Sequence, residues 1–257
     1  KDPAVQELVN FEVGRIRPKS SSVSQTLILE LFSTTTVIDV LINTAKHLNN
    51  NSTEKVAKQM MRRLTTFTNL QQVLNQKDAS YKYDLLRYYE ALKVLPLCKR
   101  NPYFWLQYAI VKLSEHDYGM AKQFFEAAYS FAGAIDNFGT YQIDNYYARF
   151  VLENERINGS QATCMEAFRH AHAILMDSRH KLEVRYYPYR VARNYYPFYE
   201  RFFKSMTGAE KKEFLVCCQE ILNRLEWYQR ESGTSGRRKD VVVAKEGITQ
   251  ILKEQSV

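Results

Sequence analysis

Apolar residues recur at steps of three and four positions along most of this 257-residue chain. That spacing places them on one face of a helix and predicts an all-helical protein. The clearest case is the stretch 101–132, where two such patterns follow each other across a short polar break. Large and small apolar residues alternate there as Trp105, Ala109, Tyr118, Ala121, Phe125 and Ala128. Because bulky side chains fill the gap between two helices and small ones let the backbones approach, this order predicts a helical hairpin.

The other helices are predicted between segments rich in Ser, Asn, Gly and Lys. Pro102 suits the first turn of its helix, since its missing N–H is not needed there. A break near Ser33 is expected, because the threonines that follow it have low helix propensity. The predicted helical ranges are 2–16, 24–48, 54–74, 81–95, 101–113, 140–154, 162–177 and 207–231, with a last helix after a flexible link at 232–239.

The hairpin pattern recurs twice in looser form. Ala148 holds the position in the second copy that Ala109 holds in the first. Ala192 holds it in a third copy, which follows the second at a different interval along the chain. The unequal spacing predicts an irregular array. No boundary is strong enough to predict independent domains, and the best candidate lies near residues 99–102. The predicted organisation is an N-terminal helical segment at 1–98, the repeats at 99–231, and a linker with a terminal helix at 232–257.

The composition is consistent with a large helical core. Hydrophobic residues make up 45% of the chain, and 9 Gly and 6 Pro are too few for a turn-rich all-β protein. The formal net charge is +8, which permits contact with nucleic acid or with an acidic protein but demands neither. Because the charges are mostly interspersed, we expect a solvated surface rather than a dedicated phosphate track.

No constellation for catalysis or metal binding is recognisable in the sequence. His170 and His172 lie two positions apart on one predicted helix, face different sides, and have no Cys or acidic partner at metal-ligand spacing. The cysteines lack CxxC spacing, so we expect small core residues or free thiols in a reducing compartment. They are Cys98, Cys164, Cys217 and Cys218. We therefore expect no metal, no cofactor and no enzymatic activity in these residues.

No apolar run is long enough to span a bilayer, and the first residues do not resemble a signal peptide. Together with the cysteine usage, this predicts a cytoplasmic protein without a membrane contact. The chain does not begin with Met. We expect it to be a fragment, a trimmed segment or the ordered part of a longer protein.

The spacing of the hairpin residues resembles the tetratricopeptide repeat, which has bulky, small and aromatic residues at these separations. Ala109 stands where that repeat often has glycine, and the closing proline is absent. The resemblance is therefore to tetratricopeptide-like arrays as a class. It implies an all-α, right-handed solenoid of such hairpins with an irregular period, and solenoids mostly bind other molecules.

Two strings carry a narrower resemblance: FWLQYA at 104–109 and TYQIDNYYAR at 140–149. Over about residues 81–203 the chain resembles the C-terminal helical region of bacterial STAND-type NTPases, which are similar to NLR immune receptors and include antiphage defence proteins. The resemblance implies a sensor that binds a phage or partner protein and thereby triggers oligomerisation through an NTPase domain. No GxxxxGK[ST] motif occurs in the sequence. The resemblance therefore implies a sensor segment of a larger protein.

Two segments carry candidate binding residues. Asp144, Asn145 and Arg149 either line the inner face of a hairpin and hold a peptide, or make ordinary interhelical hydrogen bonds or face water. The segment 185–203 interleaves aromatic residues with arginines, a pattern that fits a helix pair with buried aromatics, a protein contact or stacked bases. The predicted protein-binding residues are Asn145, Arg149, Tyr189, Arg190 and Arg193. We expect a protein-recognition sensor, with an RNA- or DNA-binding helical repeat as the alternative.

Overall fold

The structure is a computed structural model that describes residues 9–12, 15–18, 26, 28–51, 53, 55–177, 191–231 and 239–255. The chain divides into two compact units, Lys1–Val111 and Lys112–Val257. The division falls inside a helix, and it separates the two halves of the hairpin pattern at 101–132. The predicted boundary near 99–102 lies a few turns earlier in the chain.

The first unit contains a short β-hairpin and helices α1 to α5, and α6 begins in it. The strands are β1 (Val9–Glu12) and β2 (Arg15–Pro18). The helices are α1 (Thr34–Asn50), α2 (Lys55–Thr65), α3 (Phe67–Val73), α4 (Tyr81–Leu92), α5 (Pro96–Lys99) and α6 (Pro102–Ser114). The helix α1 packs against α2 and α4.

The two strands overturn the prediction of a helix over residues 2–16. β1 and β2 pair antiparallel, with Val9 opposite Pro18 and Glu12 opposite Arg15. Apolar and polar residues alternate here as Val9, Asn10, Phe11 and Glu12. That alternation has the period of a strand, and the short segment gives a helix little to bury. The part of this prediction that covers residues 1–8 lies outside the described residues.

The predicted helix over 54–74 is broken at Thr66 into α2 and α3. Side chains supply hydrogen bonds to the backbone at this break. The hydroxyls of Tyr88 and Tyr89 in α4 donate to the carbonyls of Leu64 and Thr65, at 3.3 and 2.7 Å. The amide N–H of Phe67 donates to the side-chain oxygen of Gln107 at 2.9 Å. Because these partners replace helical ones, the interruption leaves few backbone groups unpaired.

The second unit contains helices α7 to α12. They are α7 (Tyr118–Gly133), α8 (Tyr141–Asn158), α9 (Gln161–Met176), α10 (Tyr195–Phe202), α11 (Gly208–Glu231) and α12 (Lys239–Glu254), with a 3-10 turn at Phe203–Ser205. The helix α8 packs against α7, α9 and α10, so it lies at the centre of this unit. α11 packs against α12 and α9.

An aromatic cluster forms the core of the second unit. Phe168 of α9 is fully buried, and its ring centroid lies 4.6 Å from that of Phe214 and 5.0 Å from that of Tyr195. Ala148 and Ala171 are fully buried in the same cluster. Small residues at these points allow α8 and α9 to pack along most of their length, as the repeated hairpin pattern predicts.

A buried glutamate lies across the turn between α8 and α9. Glu155 is 8% exposed, and its carboxylate accepts a hydrogen bond from the Thr163 hydroxyl at 2.5 Å. A Cβ atom on Gly159 would overlap this carboxylate. Glycine at this position therefore lets Glu155 keep its bond to Thr163, and a larger residue would require the glutamate side chain to move.

The all-α fold class is confirmed for the described residues, apart from the β-hairpin. The predicted helices at 101–113, 140–154, 162–177 and 207–231 and the last helix are present with bounds within four residues of the prediction. The predicted break at Ser33 is also present, since its hydroxyl accepts from the Thr36 N–H and caps α1. The predicted link at 232–239 lies outside the described residues except for its last one.

Candidate functional site

The candidate site lies on α8, the central helix of the second unit. Tyr141, Asn145, Arg149 and Glu153 follow one another at four-residue steps. Residues at this spacing are neighbours on a helix surface, so the four side chains form one continuous row. We call Asn145, Arg149 and Glu153 the α8 polar row.

Asn145 is the buried member of the α8 polar row, with 4% exposure. Its side-chain NH₂ donates to the carbonyl of Tyr141 at 2.9 Å. Its side-chain oxygen Oδ1 has no hydrogen-bond partner in the described part of the chain. A buried acceptor without a donor costs about 1–3 kcal/mol, so such a group calls for a specific explanation.

Arg149 lies one turn after Asn145 and is half-buried. Its Nε donates to the carboxylate of Glu153 at 2.6 Å, and 38% of its side chain is exposed. A guanidinium has five donors, and a single carboxylate contact engages only part of them. Arg149 therefore presents a cation with hydrogen-bonding capacity beside the buried amide of Asn145.

Asp144 stabilises the packing and the start of α8 and does not belong to the α8 polar row. Its two carboxylate oxygens accept from the hydroxyl of Tyr129 at 2.8 Å and from the hydroxyl of Thr140 at 2.9 Å. The first bond ties α7 to α8, and the second lies at the start of α8. Of the three polar residues singled out between 144 and 149, Asp144 thus makes an ordinary interhelical hydrogen bond.

The other predicted binding residues lie elsewhere. Arg193 is exposed in the turn that precedes α10. Tyr189 and Arg190 lie outside the described residues. The described aromatics of this segment are mostly core residues: Tyr195, Phe198, Phe202 and Phe203 are each at most 6% exposed. Of the three interpretations of the segment, buried aromatics in a helix pair fits these four residues.

A second cluster, centred on His172, was missed by the sequence reasoning. Its Nδ1 lies 2.8 Å from the hydroxyl of Tyr195, and its Nε2 lies 2.9 Å from the carboxylate of Glu220. Cys217 lies beside Glu220, and one ligand atom from each of His172, Cys217 and Glu220 lies within 4.8 Å of the others. The sequence has no Cys or acidic residue at metal-ligand spacing from His172, but α11 brings Cys217 and Glu220 next to it in the fold.

The hydrogen bonds of His172 assign its tautomer. A carboxylate only accepts, so Nε2 carries the proton that is donated to Glu220. In a neutral ring Nδ1 is then an acceptor, and it receives the hydroxyl proton of Tyr195, which is fully buried. Burial lowers the pKa of His172, against a smaller opposing contribution from Glu220. The neutral form satisfies all three groups, and we call this chain of bonds the His172 relay.

The same trio has the donor atoms that zinc takes. A metal on Nε2 would displace the bond to Glu220 and move the ring proton to Nδ1. The buried Tyr195 hydroxyl would then lose its acceptor. The positive charge of Arg224, which lies near enough to lower the pKa of His172, also opposes a cation. The geometry therefore favours the relay over a metal site.

The cysteines lack the features of nucleophiles. All four are free thiols, and Cys98, Cys164 and Cys218 are buried. Burial raises the pKa of Cys98 to about 12 and that of Cys217 to about 11. Because the reactive form is the thiolate, these thiols are unreactive near neutral pH. The prediction that the cysteines are small core residues or free thiols is confirmed.

Comparisons with protein-family models, with curated proteins and with solved structures find no match for this chain.

Among the described residues, no helix has the combination of length and apolar character that crossing a membrane requires.

Proposed function

We propose that this chain is a tetratricopeptide-like helical region that recognises a protein, and that it is the sensor part of a bacterial STAND-type defence NTPase. Its target is a phage or partner protein, and binding triggers oligomerisation through an NTPase domain outside this chain. Two features support the proposal. The strings that carry the resemblance fall on α6 and α8. The second copy of the hairpin pattern coincides with the packed pair α8 and α9.

The unpaired oxygen of Asn145 is the observation that carries the proposal. A side-chain amide can accept from and donate to the main chain of an extended peptide at the same time. Because Oδ1 is buried in the unliganded helix, the amide would have to rotate outward on binding. A target N–H on Oδ1 would then remove the cost of leaving that acceptor unpaired, which is about 1–3 kcal/mol. Arg149 would exchange Glu153 for a carboxylate or carbonyl of the target. The α8 polar row thus recognises peptide geometry and a negative group together.

Target binding acts by differential affinity. A ligand shifts a two-state equilibrium only as far as it binds one state better than the other. The target must therefore bind the assembly-competent form more tightly than the resting form. The Arg149–Glu153 pair is present in the unliganded helix. The proposal therefore requires that a target group replaces Glu153 more favourably in the assembly-competent form than in the resting form.

The first experiment removes the amide of Asn145. In the intact protein that carries this segment, Asn145→Leu should abolish protection of bacterial cells against phage, measured as plating efficiency. A loss of 1–3 kcal/mol in binding corresponds to about 5- to 150-fold weaker affinity. The fold should survive, because leucine replaces an unpaired buried acceptor with an apolar group. Lys122→Gln is the matched control, since Lys122 is 60% exposed on α7 and should be neutral.

A second experiment identifies the class of partner. A photo-crosslinking amino acid placed at Tyr146, which neighbours Arg149 on the surface of α8, and another at Lys122 as the control, are irradiated in phage-challenged cells. A protein adduct at position 146 alone, lost in the Asn145→Leu background, is the expected result. Full protection by Asn145→Leu would refute a role for the α8 polar row. A nucleic-acid adduct at position 146 would support the alternative, an RNA- or DNA-binding helical repeat.

A further inference from the structure

The surface of α2 carries an unusual run of positive charge. No Asp or Glu occurs from residue 55 to residue 77. The basic residues of α2 are Lys55, Lys58, Arg62 and Arg63, and all four are exposed. Elsewhere in the chain acidic and basic residues are interspersed, so this segment departs from the general pattern. It lies in the first unit, apart from the α8 polar row.

The basic residues of α2 lie mainly along one flank of the helix and form a stripe. Ala57, Met61 and Thr65 are buried and define the inner face of the helix. At 100° per residue, Lys55, Lys58 and Arg62 fall together on one flank. The exposed apolar residues Val56 and Met60 fall on the opposite flank. The stripe runs for about 10 Å, since Lys55 and Arg62 are two turns apart.

An aromatic ring borders this stripe. The guanidinium carbon of Arg62 lies 4.1 Å from the ring centroid of Tyr103, in the first turn of α6. Tyr103 is half-buried, and so is Trp105, whose indole N–H donates to the carbonyl of Lys99 at 2.9 Å. Lys99 and Arg100 are exposed immediately before α6. Positive charge therefore continues from α2 past the Tyr103 ring to the turn before α6.

Apart from Arg62, which lies over the Tyr103 ring, these cations have no ion-pair partner among the described residues of the first unit. Across residues 26–111, no described carboxylate lies within ion-pairing distance of Lys55, Lys58 or Arg63, nor of Lys99 or Arg100. By contrast, Arg87 in α4 pairs with Asp39 at 2.6 Å and with Asp84 at 3.1 Å. Cations that repel one another on one surface favour a polyanionic partner.

We propose that this surface binds single-stranded nucleic acid. Lys55, Lys58 and Arg62 neutralise successive phosphates, and Lys99 and Arg100 extend the track. A base stacks beside the Tyr103 ring, whose neighbouring guanidinium adds a cation–π contact. A single strand fits better than a duplex, because only unpaired bases offer their faces to an aromatic side chain. This site is independent of the proposed protein target of α8.

The test measures binding of labelled oligo-dT and oligo-U to the full chain by fluorescence anisotropy over a salt series. The logarithm of the affinity should fall with the logarithm of the salt concentration, with a slope of about −0.7 per neutralised phosphate. Lys58→Gln with Arg62→Gln should weaken binding and reduce the slope by about 1.4, which is two phosphate contacts. Similar loss with both oligomers would indicate phosphate recognition without a sugar preference.

Controls separate this surface from general charge. Lys122→Gln with Lys212→Gln removes two exposed charges from α7 and α11, and should leave affinity and slope unchanged. Tyr103→Leu should weaken binding about 5- to 150-fold with an unchanged slope, because it removes stacking and no charge. Tyr103→Phe should bind as well as the wild type. Circular dichroism spectra of the variants check that the helices are intact.

Three results would overturn the proposal. The first is that the wild type binds no oligonucleotide. The second is that the Lys122→Gln, Lys212→Gln control loses as much affinity as the Lys58→Gln, Arg62→Gln variant. The third is that the protein binds vesicles but not oligonucleotides. The last is tested by sedimentation with phosphatidylcholine vesicles that contain phosphatidylserine. Vesicle binding without oligonucleotide binding would assign the stripe, with Val56 and Met60, to an anionic membrane surface. None of these outcomes changes the phage protection expected for the Asn145→Leu variant. The nucleic-acid proposal for α2 can therefore fail while the protein-recognition proposal for α8 stands, and the reverse.

Discussion

His172 has an environment that its sequence neighbours do not suggest. His170, two positions earlier, is exposed, whereas His172 is 8% exposed and bonded on both ring nitrogens. Its ring stacks on Phe168 with an interplanar angle of 13°. The His172 relay links α9, α10 and α11 through one neutral imidazole. Protonation would turn Nδ1 into a donor and leave the Tyr195 hydroxyl without an acceptor.

The His172 relay predicts a loss of stability in mild acid. Burial lowers the pKa of His172 in the folded state, so the unfolded chain binds the proton more readily. Its contribution is fully present above the unfolded pKa of about 6.5 and is lost as the pH falls below it, down to the lower folded pKa. The free energy of unfolding in urea should therefore be lower at pH 5.5 than at pH 7.5.

Two glutamine variants isolate this effect. His172→Gln can still donate to Glu220 and accept from Tyr195 but does not titrate, so its pH dependence should be smaller than that of the wild type. His170→Gln removes an exposed histidine and should keep the dependence of the wild type. Equal pH dependence in the wild type and His172→Gln would show that another group is responsible.

At the scale of elements, the interruption between α2 and α3 is held by side chains of α4. Tyr88 and Tyr89 are fully buried, and burial raises the pKa of both phenols. Both remain protonated donors at neutral pH, which suits their bonds to the last carbonyls of α2. These two hydroxyl groups and the side chain of Gln107 thus pair backbone groups at the break.

Removing these hydroxyls one at a time should have unequal effects. Tyr89→Phe should lower the free energy of unfolding by about 1–3 kcal/mol, because it leaves the Thr65 carbonyl without this short bond of 2.7 Å. Tyr88→Phe should cost less, since its bond to the Leu64 carbonyl is 3.3 Å long. Chemical denaturation measures both. An equal loss, or a larger loss in Tyr88→Phe, would contradict this account of the break.

The elements show where periodicity was sufficient and where it was not. The helix at 207–231 was predicted correctly, because Phe214, Cys218, Ile221 and Leu225 keep one face buried along its length. The helix over 54–74 was predicted as continuous, since its apolar steps run through Thr66 without a gap. The donors that pair the carbonyls at the break come from α4 and lie 24 positions away in the chain. The threonines at 65, 66 and 68 have low helix propensity, but the apolar spacing alone does not indicate the break.

At the scale of the whole molecule, each unit has its own buried residues. The cluster around Phe168 draws its buried members from residues 148–251, all within the second unit. Phe168→Ala should cost about 3–5 kcal/mol, because it leaves a cavity among Phe198, Phe214 and Tyr195. In hydrogen exchange followed by mass spectrometry, this variant should exchange faster than the wild type in peptides of α8 to α11. Peptides of α2 and α4 should exchange at the rate of the wild type. Equal acceleration in both units would show that they unfold as one.

The sequence by itself determined the helical class and most helix positions. These properties follow from the local spacing of apolar residues, because a 3.6-residue period places them on one face of a helix. It also indicated the α8 polar row, because Asn145 and Arg149 are one turn apart on a single helix.

Only the tertiary structure decided which faces meet. His172 and Glu220 are 48 positions apart, and their bond exists because α9 packs against α11. The same holds for the Tyr103 ring beside Arg62, which joins residues from two helices into one surface. Apolar periodicity specifies that a face is buried but not what it is buried against. Partner choice depends on side-chain shape and hydrogen bonding across the fold.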